Sequence, residues 1–537
     1  MIDAVVVGSG HNALTSACYL SDAGLSVEVL EKDFIAGGGV SSVERFPGHH
    51  VDRGSSAHIM VRHTGVIEEL GLADHGLRYA ECDPWAFAPG APGTDEPALV
   101  FHRDLERTCE SIARACGSAD ASAYRRFVDV WGPRSARTMR AFSSAPTGMS
   151  LLRSFWGLEA PDGGSALSRE FITTGDALLD ETFSSERLKA ALAWFGAQSG
   201  PPMSEPGTAP MVGFAALMHT LPPGRAIGGS GALTEALVSR LQSTGGVVSL
   251  GEPVAALARR GDHWTTMTES GRTITSRMVI AGCHILTTLD LLAAGGYDRT
   301  RIESWRRGIR VGPGIGMAVR LATTALPRYT SAASPTDATS GLQLLVRDRS
   351  HLRLAHGCAM AGELPASPAV LGMSFTAIDP SVAPPGEHQI SLWSQWHPYA
   401  LSGERRWRES DTVPSPGDLA ELEADRVIDQ LESHAPGFRA SILHRHVQSP
   451  VDIERELGMI GGNIMHIEMS LDQMMMWRPI PQLARHRVPG AEGLYLTGAS
   501  THPGGGVSAA SGRSAARIAL ADAQAGPLRR WTAKRRR

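Results

Sequence analysis

Residues 2–32 read "IDAVVVGSGHNALTSACYLSDAGLSVEVLEK" and predict a β-α-β unit at the start of the chain. The apolar run Val5–Val7 indicates a parallel strand that is buried on both faces. This run leads into "GSGHNA" (8–13), which matches the G-x-G-x-x-G/A pattern. Apolar residues then recur at helical spacing up to Gly24, and a second strand ends at Glu31. The order strand, glycine turn, helix, strand and acid predicts a dinucleotide site.

The residue types in this unit suit a dinucleotide for physical reasons. Gly8 permits a tight turn, and Gly10 has no Cβ, so a pyrophosphate can approach the backbone there. The following helix presents free N–H groups and its positive dipole end to that pyrophosphate. Glu31 is placed to accept hydrogen bonds from both ribose hydroxyls.

A second glycine turn follows Glu31 and favours FAD over NAD. It comprises "GGGVSS" (37–42) and offers further backbone N–H groups to a diphosphate, as in FAD enzymes of the glutathione-reductase type. The turn-rich segment "FPGHHVDRGSSAH" (46–58) comes next. From these two turns we expect the following cofactor-binding residues: Gly8, Ser9, Gly10, Asn12, Ala13, Glu31, Lys32, Gly37, Gly38, Gly39 and Ser42.

Five blocks of the sequence, in order, resemble the phytoene-desaturase-like (phytoene dehydrogenase-related) branch of the FAD-dependent amine oxidase superfamily. The blocks are "GGGVSSVERFPGHHVDRGSS" (37–56), "HRDLERTCESIARACGSADASAYRRF" (102–127), "AIGGSGALTEALVSRLQSTGGVVSLGEPVAAL" (226–257), the segment 435–481 and "GLYLTGASTHPGGGVSAASGRSAARIAL" (493–520). The resemblance covers nearly the whole chain. It is far more specific for fold and cofactor than for substrate, because function depends on the site rather than on the fold.

The resemblance implies an α/β fold with a discontinuous, Rossmann-like FAD-binding domain of glutathione-reductase type. Residues 1–85, 220–300 and 440–525 are expected to form that domain. Residues 86–219 and 301–439 would form a mixed α+β substrate-binding or cap domain, and residues 526–537 a basic tail. Within the cap, residues 144–166 suggest an ordinary loop or, alternatively, a membrane-dipping or substrate-access loop.

The resemblance also implies that two further segments contact the cofactor. Val254 falls where the family has a strand residue at the adenine, although from the residues alone it is only a strand valine. "GASTHPGGGVSAA" (498–510) is similar to the flavin-facing turn and leads into a helix expected over 511–520. The glycines would let the backbone reach contact distance of the ring. The residues expected here are Gly498, Gly504, Gly505, Gly506 and Val507.

Candidate catalytic groups lie in two places. His502 is the one titratable side chain inside the C-terminal turn; it would act as a proton acceptor at the flavin or shape the turn by bonding the backbone. "HIEMSLDQ" (466–473) brings His466, Glu468 and Asp472 together at near-helical spacing. These residues would be general acid/base groups, with Glu468 the candidate, or a buried structural network.

Composition limits the partners. A formal charge of −4 gives no sign of nucleic-acid binding, and six cysteines without a C-x-x-C pair give no sign of a metal site. No signal peptide or membrane-spanning run is evident, so we expect a cytoplasmic protein, with peripheral membrane attachment as the alternative. The tail "RRWTAKRRR" (529–537) is expected to be solvated or to dock on an anionic surface. The sequence leaves open whether the chain forms a homo-oligomer.

Two catalytic functions and one non-catalytic function follow from these features. The first is desaturation of a hydrophobic polyene, isoprenoid or carrier-tethered substrate by hydride transfer to flavin N5, with oxygen or a quinone as electron acceptor. The alternative is oxidation of a small amine. Many amine oxidases place a lysine near N5, and this chain has only Lys32, Lys189 and Lys534. A flavoprotein-like assembly or carrier-binding factor that has lost catalysis is the third hypothesis.

Overall fold

The computed structural model describes residues 1–150, 169, 172–410 and 415–524. The basic tail 526–537 lies outside the described residues, as does most of the predicted loop 144–166.

The strands are β1 (Ile2–Val7), β2 (Val27–Leu30), β3 (Ser42–Phe46), β4 (His49–Asp52), β5 (Tyr79–Glu81), β6 (Ala86–Ala88), β7 (Leu99–Phe101), β8 (Gly224–Ala226), β9 (Val247–Ser249), β10 (Val254–Arg260), β11 (His263–Thr268), β12 (Thr273–Ala281), β13 (Gly316–Thr323), β14 (Leu342–Leu345), β15 (Ala369–Met373), β16 (His388–Gln395), β17 (Ile442–Gln448) and β18 (Leu494–Leu496). The helices are α1 (His11–Asp22), α2 (Val66–Glu69), α3 (Leu105–Cys116), α4 (Ser118–Phe142), α5 (Gly175–Thr182), α6 (Glu186–Ala197), α7 (Ala209–Gly213), α8 (Gly231–Ser243), α9 (Ile285–Ala294), α10 (Arg299–Gly308), α11 (Pro335–Thr339), α12 (Arg349–Met360), α13 (Leu419–His434), α14 (Pro450–Leu457) and α15 (Ala510–Gln524).

The first sheet is Rossmann-like and has the strand order β10-β11-β12-β1-β2-β9, with β18 beside β12. β1 runs parallel to both β2 and β12, and its residues Val5 and Val6 are fully buried, as the continuous apolar run predicts. Helix α1 packs against α8 and α15. The carboxyl end of β1 therefore delivers the first glycine turn beside the N-terminus of α1, where an α/β sheet binds ligands.

The second sheet has the order β17-β13-β16-β15-β14-β6-β7 and is antiparallel except where β14 pairs with β6. Its strand β13 is buried along its whole length, between β16 and β17. Strand β17 pairs with β13 in this second sheet, although residues from 440 onward are predicted to belong to the FAD-binding domain; the domain boundaries stay a prediction. The sequence "ILHRHVQ" is mostly polar and pairs as an edge strand through its backbone, so its side chains carry no signal for this sheet.

Helix α15 begins one residue before the predicted start and continues four residues past the predicted end. In the described part of the chain, no helix is both long enough and apolar enough to span a membrane.

Candidate cofactor and active site

A cavity of about 970 Å³ is lined by residues from both sheets. Its wall includes the first glycine turn at the end of β1, the C-terminal turn, and residues of β13 and β15 from the second sheet. Among the predicted cofactor-binding residues, the wall contains Gly8, Gly10, Asn12, Ala13, Glu31, Lys32, Gly37, Gly38, Gly39, Val254, Gly498, Gly505, Gly506 and Val507. Segments separated by almost the whole chain thus enclose one space.

The first glycine turn is open to this cavity. Gly8 has φ +88°, in the left-handed region that favours glycine. Gly10 is the residue before α1 and has φ −57°. No side chain caps the N-terminus of this helix, so its first N–H groups remain available. A Cβ added at Gly10 would have no protein atom within 4 Å. The turn and helix end therefore fit a pyrophosphate, and the free space at Gly10 belongs to the cavity.

Ser9 and Glu31 stabilise the first glycine turn by side-chain hydrogen bonds. The Glu31 carboxylate accepts hydrogen bonds from both the Ser9 backbone N–H and its Oγ at 2.7 Å, and from the Asp33 N–H at 2.9 Å. Ser9 Oγ also accepts from the Gly37 N–H at 3.1 Å, which ties the two glycine turns together. Ser9 is fully buried and does not line the cavity, so its contribution is to the shape of the turn.

Two other predicted cofactor residues also lie outside the cavity wall. Ser42 Oγ donates to Asp52 at 2.9 Å and accepts from the Gly231 N–H at 3.0 Å. Gly504 has φ +120°, and a Cβ there would approach the Met469 sulfur at 2.7 Å. Both residues support the turns that line the cavity, rather than forming its surface.

The C-terminal turn is packed tightly against its neighbours. A Cβ at Gly505 would overlap the Met465 sulfur, and one at Gly506, where φ is +96°, would lie 3.0 Å from the Met60 sulfur. The Val507 carbonyl accepts from the Val61 N–H at 2.7 Å, and Ser511 Oγ accepts from the Gly498 N–H at 3.1 Å. The glycines are needed for this packing as well as for access to the cavity.

Arg478 is a structural residue of the site that the sequence did not single out. It is completely buried, and its guanidinium donates to five backbone carbonyls. The acceptors are Met465, Ile467, Glu468, Gln473 and Ala499. Burial lowers the pKa of Arg478 to about 9, so it remains a cation at neutral pH. It joins the 465–473 segment to the turn that contains Gly498.

The segment 466–473 is irregular, so the near-helical spacing does not correspond to a helix. It contains only a short 3-10 turn at Leu471–Gln473, and His466 has φ +67°. His466 alone of the three polar candidates lines the cavity. Its ring stacks on His284 at 5.0 Å, and its Nδ1 lies 3.0 Å from Ser500 Oγ. Burial holds the pKa of His466 well below its usual value, so the ring is neutral.

Glu468 is separated from the cavity, in contrast to its predicted catalytic role. Its carboxylate accepts from Arg310 Nε at 2.8 Å, and Arg310 also pairs with Asp472 at 2.7 Å. All three side chains are at least about a third exposed, and none lines the cavity. The acidic residues of this segment thus form a surface ion-pair cluster.

We expect Glu468→Gln to change the rate of flavin reduction by less than about threefold, because partly exposed ion pairs contribute roughly 1 kcal/mol or less. The measurement is anaerobic stopped-flow reduction with the compound that reduces the wild-type protein fastest. A loss of about 100-fold with flavin still bound would restore Glu468 as a catalytic group.

His502 lies within the C-terminal turn, and its side chain is buried. Its Nε2 donates to the Ala141 carbonyl at 3.1 Å, and its ring meets Phe142 edge-on at 5.9 Å, so it connects the turn to the end of α4. The adjacent Pro503 lines the cavity, whereas His502 does not. Burial lowers the pKa of His502 to about 3, so it is neutral at physiological pH. These contacts match the second of its two predicted roles, shaping the turn.

His502→Phe is expected to lower the free energy of unfolding by about 1–3 kcal/mol, because the buried Ala141 carbonyl loses its donor. The rate of flavin reduction should stay within about threefold of wild type. Urea unfolding and stopped-flow reduction measure the two effects, with exposed His50→Phe as the control. A large loss of rate with unchanged stability would identify His502 as the proton acceptor instead.

The remainder of the cavity wall is predominantly apolar and rich in methionine. It is formed by Met139, Phe142, Phe195, Met211, Phe214, Leu217, Leu342, Leu371, Met373, Trp393, Met469, Met474, Met475 and Trp477. Methionine side chains are unbranched and adaptable, so they can pack around an irregular apolar space. Among the described residues of the wall, Lys32 is the only lysine, and Lys189 instead pairs with Asp180 at 2.8 Å in the cap.

Comparisons with known proteins agree with this architecture. Residues 6–70 match the family model for the NAD(P)-binding Rossmann-like domain. The chain is 29% identical to a mouse protein, pyridine nucleotide-disulfide oxidoreductase domain-containing protein 2, over 97% of this chain and 93% of the mouse protein. It is 27% identical to phytoene dehydrogenase from Streptomyces griseus, over 94% of this chain and 92% of that enzyme.

A solved structure of putrescine oxidase with putrescine bound superposes with a TM-score of 0.60. The match covers 98% of this chain and 99% of the oxidase at 13% identity, which supports a shared fold. The Rossmann-like unit, the cavity that joins it to the second sheet, and these relatives indicate a flavin or nucleotide cofactor. The chain is an oxidoreductase that resembles, over nearly its whole length, the phytoene-desaturase-like branch of the FAD-dependent amine oxidase superfamily.

Proposed function

We propose that this chain is an FAD-dependent oxidoreductase that desaturates a hydrophobic substrate, of polyene, isoprenoid or carrier-tethered type. The observation that carries the proposal is the continuity of one cavity from the glycine turn at Gly8–Ala13 to an apolar, methionine-rich wall under the second sheet. A cofactor bound along the turns would extend toward that wall, where an apolar ligand loses least on leaving water.

FAD is favoured within the nucleotide class by three features. Gly37, Gly38 and Gly39 add a second backbone turn to the wall, beside the first. The C-terminal turn adds Gly505 and Gly506 to the wall of the same cavity. Among the described residues only one sheet is Rossmann-like, so there is no second fold of this type to hold a nicotinamide nucleotide beside FAD. We therefore assign the glutathione-reductase type of FAD domain as part of the proposal.

The bound flavin would supply the hydride acceptor, N5. The contributions of the protein are to bind, orient and exclude water. Helix α1 directs its uncapped N–H groups at the nucleotide end, and Glu31 fixes the turn that carries them. The apolar side chains enclose the substrate in a low-dielectric space. Arg478 holds the segment that begins at Met465 against the C-terminal turn.

Amine oxidation is the second candidate, supported by the fold shared with putrescine oxidase. The composition of the cavity wall weakens this candidate, because Lys32 is its one lysine among the described residues and lies next to Glu31 at the nucleotide end.

Oxygen or a quinone is the proposed electron acceptor. A carrier protein or a membrane surface would present a substrate that is poorly soluble in water.

The cofactor is tested by denaturing the purified protein and identifying the released nucleotide by chromatography and absorbance. The expected result is FAD at close to one equivalent per chain. Release of NAD or NADP, without flavin absorbance near 450 nm, would contradict the proposal. Colourless protein that also fails to take up added FAD would favour the non-catalytic hypothesis.

A further inference from the structure

Arg320 and Ser56 are buried polar side chains of the cavity wall. Arg320 lies on β13 and is 3% exposed, and Ser56 lies in the loop after β4 and is 5% exposed. Both line the cavity. Arg320 Nη2 donates to the Gly54 carbonyl at 3.1 Å, but its Nε and Nη1 find no hydrogen-bond partner among the described residues. The same is true of Ser56 Oγ.

The two carboxylates whose charges act on Arg320, Asp52 and Glu456, are already engaged by other groups. Asp52 pairs with Arg225 and also accepts from Ser42 Oγ and from the Ser230 N–H. Glu456 pairs with Arg45 at 3.1 Å and accepts from Gln448 Nε2 at 2.9 Å. Among the described residues, Arg320 forms no ion pair. Its charge is therefore not neutralised by direct contact with the protein.

This arrangement calls for an acceptor that the protein does not provide. Burial lowers the pKa of Arg320 to about 10, which still leaves the guanidinium protonated at neutral pH. A buried cation with free N–H groups is costly unless a ligand supplies both negative charge and hydrogen-bond acceptors. A carboxylate does so with two oxygens in one plane, which matches the planar guanidinium.

We propose that Arg320 and Ser56 form a carboxylate-binding subsite, and that the substrate is amphipathic, with an apolar body and a carboxylate at one end. This inference rests on the proposed function, because it concerns the substrate of the same cavity. The apolar body would lie along the methionine-rich wall while Arg320 and Ser56 hold the carboxylate. The anchored end fixes which bond of the substrate faces the cofactor. Arg320 would repel the ammonium group of a protonated amine.

The test is isothermal titration calorimetry of the full-length, FAD-loaded protein with oleate and with oleyl alcohol, which share one hydrocarbon chain. Arg320→Met should raise the Kd for oleate by about 10- to 100-fold, since charge-assisted hydrogen bonds are lost. Ser56→Ala should raise it by a few-fold. The Kd for oleyl alcohol should stay within about threefold. Exposed Arg328, outside the cavity wall, provides the control Arg328→Met, with no expected change in either Kd.

Equal affinity of wild type for oleate and oleyl alcohol would overturn the proposal, as would an unchanged oleate Kd in Arg320→Met. The flavin content and the flavin midpoint potential of each variant are measured in parallel. If Arg320→Met lowers flavin content or potential while oleate binding is unaffected, the free N–H groups serve the cofactor and the proposal is wrong. If Arg320→Met fails to fold, Ser56→Ala and Arg320→Lys are used instead. Ser56→Ala must then raise the Kd for oleate but not that for oleyl alcohol. Arg320→Lys must still bind oleate more tightly than oleyl alcohol.

Failure of the proposed function is distinguishable from failure of this subsite. The titrations need no turnover, so a preference for oleate that depends on Arg320 would stand even if no apolar compound reduced the flavin. Reduction of the flavin by neutral hydrocarbons, together with equal binding of oleate and oleyl alcohol, would support the desaturase and overturn the subsite.

Discussion

Gly10→Val should abolish stoichiometric FAD binding while leaving the fold of the FAD-free protein intact. The backbone at Gly10 has φ −57° and ψ 154°, which valine adopts readily, and an added Cβ meets no protein atom within 4 Å. The new side chain instead fills the space where the pyrophosphate would approach the N-terminus of α1. We expect the affinity for FAD to fall by at least about 100-fold, because these contacts are lost together.

Titration of the FAD-free protein with FAD, followed by flavin fluorescence, measures this loss, and circular dichroism reports the fold. Gly357→Val is the matched control, since Gly357 is exposed on α12 and also has no protein atom within 4 Å of an added Cβ. The control should bind FAD as wild type does. Full FAD occupancy in Gly10→Val would show that the nucleotide does not lie along this turn.

Arg478→Met should lower the free energy of unfolding by about 3–5 kcal/mol, because several buried carbonyls lose their donor at once. The segment from Met465 to Gln473 would then separate from the turn at Ala499, and FAD affinity should fall with it. Urea unfolding of the FAD-free protein gives the first quantity, and FAD titration gives the second.

The control for this prediction is Arg310→Met. Arg310 is about half exposed and donates mainly to carboxylates at the surface, so its loss should cost roughly 1 kcal/mol or less. If Arg478→Met unfolds within 1 kcal/mol of wild type, the network of carbonyl acceptors is not what holds the C-terminal turn in place.

The parts of the fold that the sequence predicts well are those with local, periodic signals. Strand β1, the glycine turn, helix α1 and strand β2 lie within one short segment, and each step has its own residue pattern. Strand β17 has no such pattern. It joins the second sheet through backbone pairing with β13, so its place in that sheet could not be predicted from its side chains.

The site is less predictable, because its contacts join distant or aperiodic segments. The near-helical spacing of His466, Glu468 and Asp472 suggested that the three side chains come together, but the segment is irregular, with a left-handed backbone at His466, and of the three only His466 lines the cavity. Arg478 binds backbone carbonyls, which any residue provides, so nothing in the sequence identifies its partners. Arg320 is likewise one arginine among many. Its lack of an ion-pair partner among the described residues is evident only from the structure, in which Asp52 and Glu456 bind other groups.

The measurement that tests the central claim most directly is anaerobic reduction of the FAD-loaded protein by a panel of compounds, followed by bleaching of the flavin absorbance. The panel contains polyenes, isoprenoids, their carboxylic acids, and primary and polyamines of similar size. Our account predicts that one or more of the apolar compounds bleaches the flavin and leaves with one additional carbon–carbon double bond, while the amines do not react. Bleaching by amines alone, with no reduction by any apolar compound, would contradict it.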